Sequence, residues 1–257
     1  MNILTSSTFL IVCPLVFLAG FVDSIAGGGG LVSLPAYLLA GLPVHFAMGT
    51  NKLSSSMGAV TASVRYYKNG YVDFLLCLPS IAAAFAGSAL GTSLTLLVEE
   101  RYLQWLLIIA LPLTAVYVMR KKELRSGERF SRIKTAVLAA LISFVIGGYD
   151  GFFGPGTGTF LILLYCGLAH MESITAAGNA KIVNLASNIS AAVLFLIHGK
   201  TLIPLGLCAG AFSIAGSWLG SGLAIKKGTG IIRVFIITVL AFLMLRIILS
   251  ALGIWKL

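Results

Sequence analysis

Gly20-Phe-Val-Asp23-Ser-Ile-Ala-Gly27-Gly-Gly-Gly30 is matched, 127 residues further on, by Gly147-Gly-Tyr-Asp150-Gly-Phe-Phe-Gly154-Pro-Gly-Thr157. In each run an aspartate closes an apolar stretch, and residues that cannot continue a helix follow it. Glycine costs about 1 kcal/mol per helix position relative to alanine, and proline about 3. More matches lie downstream at a spacing of 129. Gly49-Thr-Asn-Lys52 pairs with Gly178-Asn-Ala-Lys181, Gly70 with Gly199, and Ala86-Gly-Ser-Ala-Leu-Gly91 with Ala215-Gly-Ser-Trp-Leu-Gly220. Matched blocks in one order, with a slip of two residues, mark a duplication. The boundaries that follow are a first repeat at 1–119, a linker at 120–134 and a second repeat at 135–257.

The material of the repeat is membrane material. Of the 257 residues 58% are hydrophobic and 10% are charged, against about 25% charged in a soluble domain. The mean hydropathy is +1.01. These values exclude an ordinary soluble enzyme. A bilayer crossing needs roughly 20 apolar residues, and runs of that kind occur at 8–26, 75–98, 102–119, 136–149, 202–225 and 231–252. The first resembles a signal-peptide core, but no basic residue precedes it, and it ends in Asp23 and four glycines instead of a small-residue cleavage site. It reads as a retained membrane helix.

The net charge of +10 does not point to nucleic acid. Seven of the 18 basic residues are crowded into the linker, from Arg120 to Lys134. Such a loop between membrane helices marks the cytoplasmic face, with a polybasic lipid contact as a secondary role. The four cysteines lie in apolar runs without metal-ligand spacing, which makes them packing residues, and no cofactor is expected. His45, His170 and His198 fall near helix ends and read as packing or surface residues. Gly87-x-x-x-Gly91 and Gly216-x-x-x-Gly220 read as helix-packing faces.

Each half reads as a first helix (8–26; 136–153), a glycine-rich break, a short apolar segment (31–40; 159–168), a longer polar helix (44–67; 173–197) and two further apolar helices (72–98 and 102–119; 202–225 and 231–252). The fold class is thus an all-α polytopic membrane protein with about eight transmembrane helices in two homologous halves. The short segment decides the symmetry. At 1.5 Å per residue it is too short to cross a core of about 30 Å. Length therefore favours re-entrant segments, four crossings per half and parallel halves. If the segment crosses instead, each half has five crossings and the halves are inverted. Loop charges barely separate the two, since the parallel arrangement leaves Lys226, Lys227 and Arg233 outside and the inverted one moves Lys200 and Lys256 out.

Few charges sit in the apolar stretches: Asp23, Lys52, Asp150 and Lys181, with Arg65 and Arg246 nearer helix ends. An ionisable group at membrane depth is costly and faces a cavity or a partner. Two readings stand side by side. In one, a buried Asp–Lys bridge ties each break to the polar helix that follows it. In the other, cationic lysines and proton-accepting carboxylates form a site. The breaks add backbone N–H groups at the start of a short helix, a ready anion cradle, or else serve close helix packing. On the second polar helix Lys181, Asn184 and Asn188 recur at i, i+3 and i+7 and share a face. A lysine among amide and hydroxyl donors suits an oxyanion, whereas a bare metal cation prefers carboxylates and carbonyls. The candidate substrate-binding set is Lys52, Lys181, Asn51, Asn179, Asn184, Asn188, Gly28, Gly29, Gly30, Gly156 and Thr157, with Asp23 and Asp150 for proton coupling or a salt bridge.

At these residues the chain resembles the sulfite exporter TauE/SafE family, in its YfcA-like branch. The matching stretches are 20–31 (GFVDSIAGGGGL), 50–53 (TNKL), 149–155 (YDGFFGP) and 180–189 (AKIVNLASNI). The second copy lacks the counterpart of Pro35 and has Asn179 in place of Thr50, so the halves need not bind equivalently. The resemblance implies a bacterial inner-membrane transporter that moves sulfite or related organosulfur anions, often outward. Expected partners are a small anion and the lipid bilayer, with a homo-oligomer open. An anion channel is the alternative. An intramembrane aspartyl hydrolase fits poorly, because the glycines follow each aspartate instead of preceding it.

Overall fold

A computed structural model describes residues 4–120 and 130–227. Nine helices occupy them: α1 (Ser6–Ala26), α2 (Gly30–Leu39), α3 (Val44–Lys68), α4 (Phe74–Leu97), α5 (Glu100–Arg120), α6 (Arg132–Phe152), α7 (Thr157–Gly167), α8 (Ser173–Ile197) and α9 (Ile203–Lys227). The expected last helix at 231–252, Arg246 and most of the linker lie outside the described residues. Five helices (α1, α4, α6, α8 and α9) are long and apolar enough to cross a bilayer. Helix α3 is as long, about 37 Å at 1.5 Å per residue, but carries Asn51, Lys52 and a run of serines.

The breaks fall where the sequence puts them. Gly27 ends α1 in the left-handed region at φ +78°, its N–H closing on the Asp23 carbonyl at 2.8 Å. Gly154 and Gly156 take φ of +94° and +85° between α6 and α7. A residue with a Cβ is strained there.

Helix α2 then runs back along α1. Gly29 lies on Ala19 and Asp23, and Tyr37 shares a buried cluster with Cys13 and Val16 of α1. Helix α7 does the same along α6: the Thr157 hydroxyl reaches Asp150, and Tyr165 and Ser143 share a hydrogen bond of 2.6 Å. Each pair is a helical hairpin, and the two tips meet. Thr159 donates to the Gly27 carbonyl (3.3 Å, backbone) and to the Ala26 carbonyl (2.7 Å, hydroxyl). Gly27 and Gly158 are packed backbone to backbone, with no room for a Cβ on either.

Contacts between helices fix their directions. Along α9, Cys208, Ser213 and Gly220 meet Cys13, Gly20 and Ser24 of α1, and Gly206 and Gly210 meet Leu53 and Met57 of α3, so α1, α3 and α9 run the same way. Along α4, Ala84 and Ser88 meet Gly147 and Gly151 of α6, while Cys77 and Ser88 meet Asn179 and Ser187 of α8, so α4, α6 and α8 also agree. The start of α3 lies at the end of α8, with Gly49 against Phe195, and the chain just beyond α3 lies at the start of α8, with Tyr71 against Gly178. The two groups therefore oppose each other. Repeat mates α1 and α6, α3 and α8, and α4 and α9 point in opposite directions.

The halves are inverted, which corrects the parallel arrangement that segment length favours. The reason is that α2 needs no help from a neighbour to return. Ten helical residues cover about 15 Å, and the chain then turns at Ala40 and Gly41 before Pro43 leads into α3. Together they undo the crossing of α1.

The halves also interlock instead of lying side by side. Helix α4 packs on α6 and α8, and α9 packs on α1 and α3. The glycine faces make this possible. A Cβ on Gly87, Gly91 or Gly151 would overlap the backbone across the α4–α6 seam, and one on Gly216 or Gly220 would overlap Phe17 or Phe21 of α1. Without a strong hydrophobic drive between helices in lipid, this close approach is what holds them together.

Candidate functional site

The hairpin tips and the polar faces of α3 and α8 enclose a central cavity. It leaves about 30 Å³ for the centres of water molecules, room for two or three waters. Asp23, Asn51, Lys52, Asp150, Asn184 and Asn188 line it, as do Gly29 and Gly30 at one tip and Thr157 at the other. The sequence pattern thus brings together most of its candidates. Four do not reach the cavity wall. Gly28 packs near Val22 and Leu31. Gly156 is the left-handed residue ahead of α7. Asn179 lies at the start of α8, where its side-chain oxygen accepts the Asp73 N–H at 3.0 Å, tying the α3–α4 turn to the other half. Lys181 is fully buried beside the cavity in an ion pair.

The ion pairs are not those expected. Lys52 Nζ sits 2.7 Å from Asp150 Oδ2, and Lys181 Nζ sits 3.3 Å from Asp23 Oδ2. Each lysine pairs with the aspartate of the other half, so the expected bridge within a half is replaced by two bridges between halves. The cause is the inversion: each polar helix passes the hairpin tip of the opposite half. Losing one partner of such a pair leaves a buried charge uncompensated, at a cost of about 3–5 kcal/mol.

The two carboxylates are held differently. Asp150 is 2% exposed and accepts hydroxyls from Thr157 at 2.7 Å and Ser187 at 2.6 Å besides Lys52. Asp23 has 21% of its side chain exposed and accepts the Gly29 N–H at 3.2 Å besides Lys181. Lys181 also donates to the Asp23 backbone carbonyl.

Several backbone N–H groups of the breaks bond within the protein, while Gly30 and Gly158 line the cavity. Gly29 gives its N–H to Asp23, Leu31 to Gly28, Thr157 to Gly154 and Thr159 to Gly27. Side chains supply the remaining polarity. Ser33, Ser55, Ser213 and Ser217 complete the lining. Ser213 and Ser217 lie one turn apart beside Gly216, on a face whose glycines signal packing, and that signal hides them in the sequence.

The other polar features are structural. His45 faces Glu100 and the Thr95 carbonyl at 3.3 and 3.1 Å, His170 stacks on Phe130, and His198 bonds the Leu194 carbonyl. The cysteines are free thiols, with Cys13 and Cys208 3.7 Å apart. Among the described residues no cluster could hold a metal ion.

An inverted repeat with a charged cavity at the meeting point of two broken helices is the architecture of secondary transporters. Comparison with known sequences agrees. The profile described as sulfite exporter TauE/SafE matches residues 12–247. The chain belongs to this family. Similar proteins of the family include a probable membrane transporter protein, ORF9, of a Sinorhizobium species, 36% identical over 90% of this chain and 89% of that protein. Another, from Haemophilus influenzae, is 35% identical over 89% of each chain. A third, the probable membrane transporter protein YfcA of Escherichia coli, is 33% identical over 92% of this chain and 88% of that protein. No solved structure matches. The family sets this polytopic chain among membrane transporters and not among enzymes, with a small-molecule substrate and the bilayer as its partners.

Proposed function

We propose that the protein is a secondary transporter that exports a small anion, sulfite or a sulfonate, with proton coupling. The observation that carries this reading is the central cavity, where Lys52 lies among the amides of Asn51 and Asn184 and the hydroxyls of Ser33, Ser55, Ser213 and Ser217. Ammonium, amide and hydroxyl donors around one small space suit an oxyanion. The name of the family adds sulfite as the first substrate to try. Room for two or three waters is on the scale of one sulfite. Parting the hairpin tips from one face at a time gives alternating access.

The location that fits is a bacterial inner membrane with the linker in the cytoplasm. On the face of the linker α3 and α9 end and α6 begins, and Arg65, Lys68, Arg132, Lys134 and Lys226 gather there. Arg101 and Lys200 lie at the opposite face. That bias follows the positive-inside rule.

The test is uptake of labelled sulfite into proteoliposomes of the purified protein, with and without an imposed proton gradient. Saturable uptake that responds to the gradient is expected, with at least a tenfold loss in Lys52→Gln. Uptake that never saturates would make the protein a channel. Unchanged transport in Lys52→Gln would remove the binding role of this residue.

A further inference from the structure

The core of the site holds two ammonium groups and two carboxylates, together neutral. An anion added to that cluster leaves one negative charge without a partner at membrane depth, which is costly. A proton taken up on one carboxylate removes the problem, and the two carboxylates are not equal candidates.

Asp150 is encased. Protonating it would weaken three contacts of 2.6–2.7 Å and leave Lys52 without its counter-charge. Asp23 lines the cavity, is partly open to it, and accepts two longer contacts of 3.2 and 3.3 Å. When Asp23 is neutral, Lys181 keeps the Asp23 backbone carbonyl. The titratable and charged groups around Asp23 are Lys181 from α8, Lys52 and Tyr66 from α3, and Asp150 from α6. The Tyr66 hydroxyl is already spent on the Ser24 carbonyl. The lining residues that α2, α7 and α9 bring to the cavity include no charged group.

We propose that Asp23, and not its repeat mate Asp150, takes up the coupling proton, one for each single negative charge carried. The inference rests on the anion-transport reading. As a carboxylate, Asp23 turns a negative charge toward the cavity and repels the substrate. As a carboxylic acid it offers an O–H donor to the anion, and the net positive charge then left on the cluster is neutralised by the anion itself. Proton and anion enter together from the open face, cross together and leave together, the proton departing from Asp23 to water. No charge crosses the membrane with a monoanion. Net direction follows the combined gradients of anion and proton, so export runs only when the outward anion gradient exceeds the inward proton gradient, and membrane potential alone does not drive it.

The experiment loads proteoliposomes with purified protein and follows two labelled probes, sulfite and methanesulfonate. The second keeps a single negative charge across the working pH range. Each is offered under an imposed proton gradient or an imposed potassium diffusion potential. The native protein is expected to accumulate methanesulfonate at least tenfold in response to the proton gradient and to ignore the potential. Asp23→Asn, which imitates the protonated group, is expected to reverse this: transport that follows the potential and ignores the proton gradient. Asp23→Glu keeps the proton response and controls for folding.

A native protein driven by the potential overturns the proposed stoichiometry, whatever becomes of the variant. An Asp23→Asn protein still driven by the proton gradient overturns the assignment to Asp23 while leaving anion transport intact. A native protein that moves neither probe in any gradient removes the anion-transport reading, and the inference with it.

Discussion

Asp23 and Asp150 occupy the same place in two copies of one repeat, yet the protein treats them differently. Asp150 receives hydroxyls from Thr157 and Ser187. The repeat mates of those residues, 127 and 129 positions earlier, are Gly30 and Gly58. Two exchanges between glycine and a hydroxyl residue therefore separate a sealed carboxylate from an open one. Gly58 has a further effect: a Cβ there would run into Ser213 and Ser217, so its absence leaves those hydroxyls their place at the cavity. Duplication supplied a symmetric frame, and small side-chain changes gave its halves different work.

The comparison can be broken most directly at the ion pairs. Asp150→Ala leaves Lys52 buried without a partner and is expected to cost about 3–5 kcal/mol, seen as a large fall in the thermal midpoint in detergent. Asp23→Ala should cost clearly less, because Lys181 retains a carbonyl and the carboxylate is partly open. Equal losses would end the distinction between the two sites.

The glycine seams come next. Gly87→Val, the repeat mate of Gly216, pushes its side chain into the backbone of α6 and is expected to cost about 1–3 kcal/mol, or to prevent assembly. Gly216→Val should do the same at the α1–α9 seam, since inversion makes the two seams equivalent. A marked difference between them would show that the halves do not pack alike.

Thr157→Val keeps the shape of the side chain and removes one hydroxyl from Asp150. A loss of about 2 kcal/mol is expected, typical of a hydrogen bond to a charged group. Asn179→Ala is expected to have the smallest effect. It gives up the bond to the Asp73 N–H, costs about 1 kcal/mol and leaves the apparent affinity for substrate unchanged. A raised KM would return Asn179 to the binding site.

A good part of this protein is legible in its sequence. The broken helices announce themselves in Gly27–Gly30 and in Gly154-Pro155-Gly156, because no regular helix accepts such runs. The duplication shows in matched blocks. Lys52, Asp150, Asn184 and Asn188 declare themselves as polar groups in apolar helices, where burial without a role is too costly to persist. These features are local, or depend on comparing one stretch with another.

What the sequence left open depended on direction in space. Helical periodicity places Lys181 on a face, but it does not say which half that face meets, and nearness along the chain suggested the wrong aspartate. Segment length excluded a full crossing by α2, but α2 and loop 40–43 together return the chain to the face it came from. Ser213 and Ser217 read as packing until inverted halves brought α9 against the hairpin tip. By itself the sequence determined the membrane, the repeat, the breaks and the chemistry available, because each follows from the residues and their spacing. The tertiary structure alone decided which charges pair, how the halves face each other and which carboxylate stays open, because those follow from contacts between segments far apart along the chain.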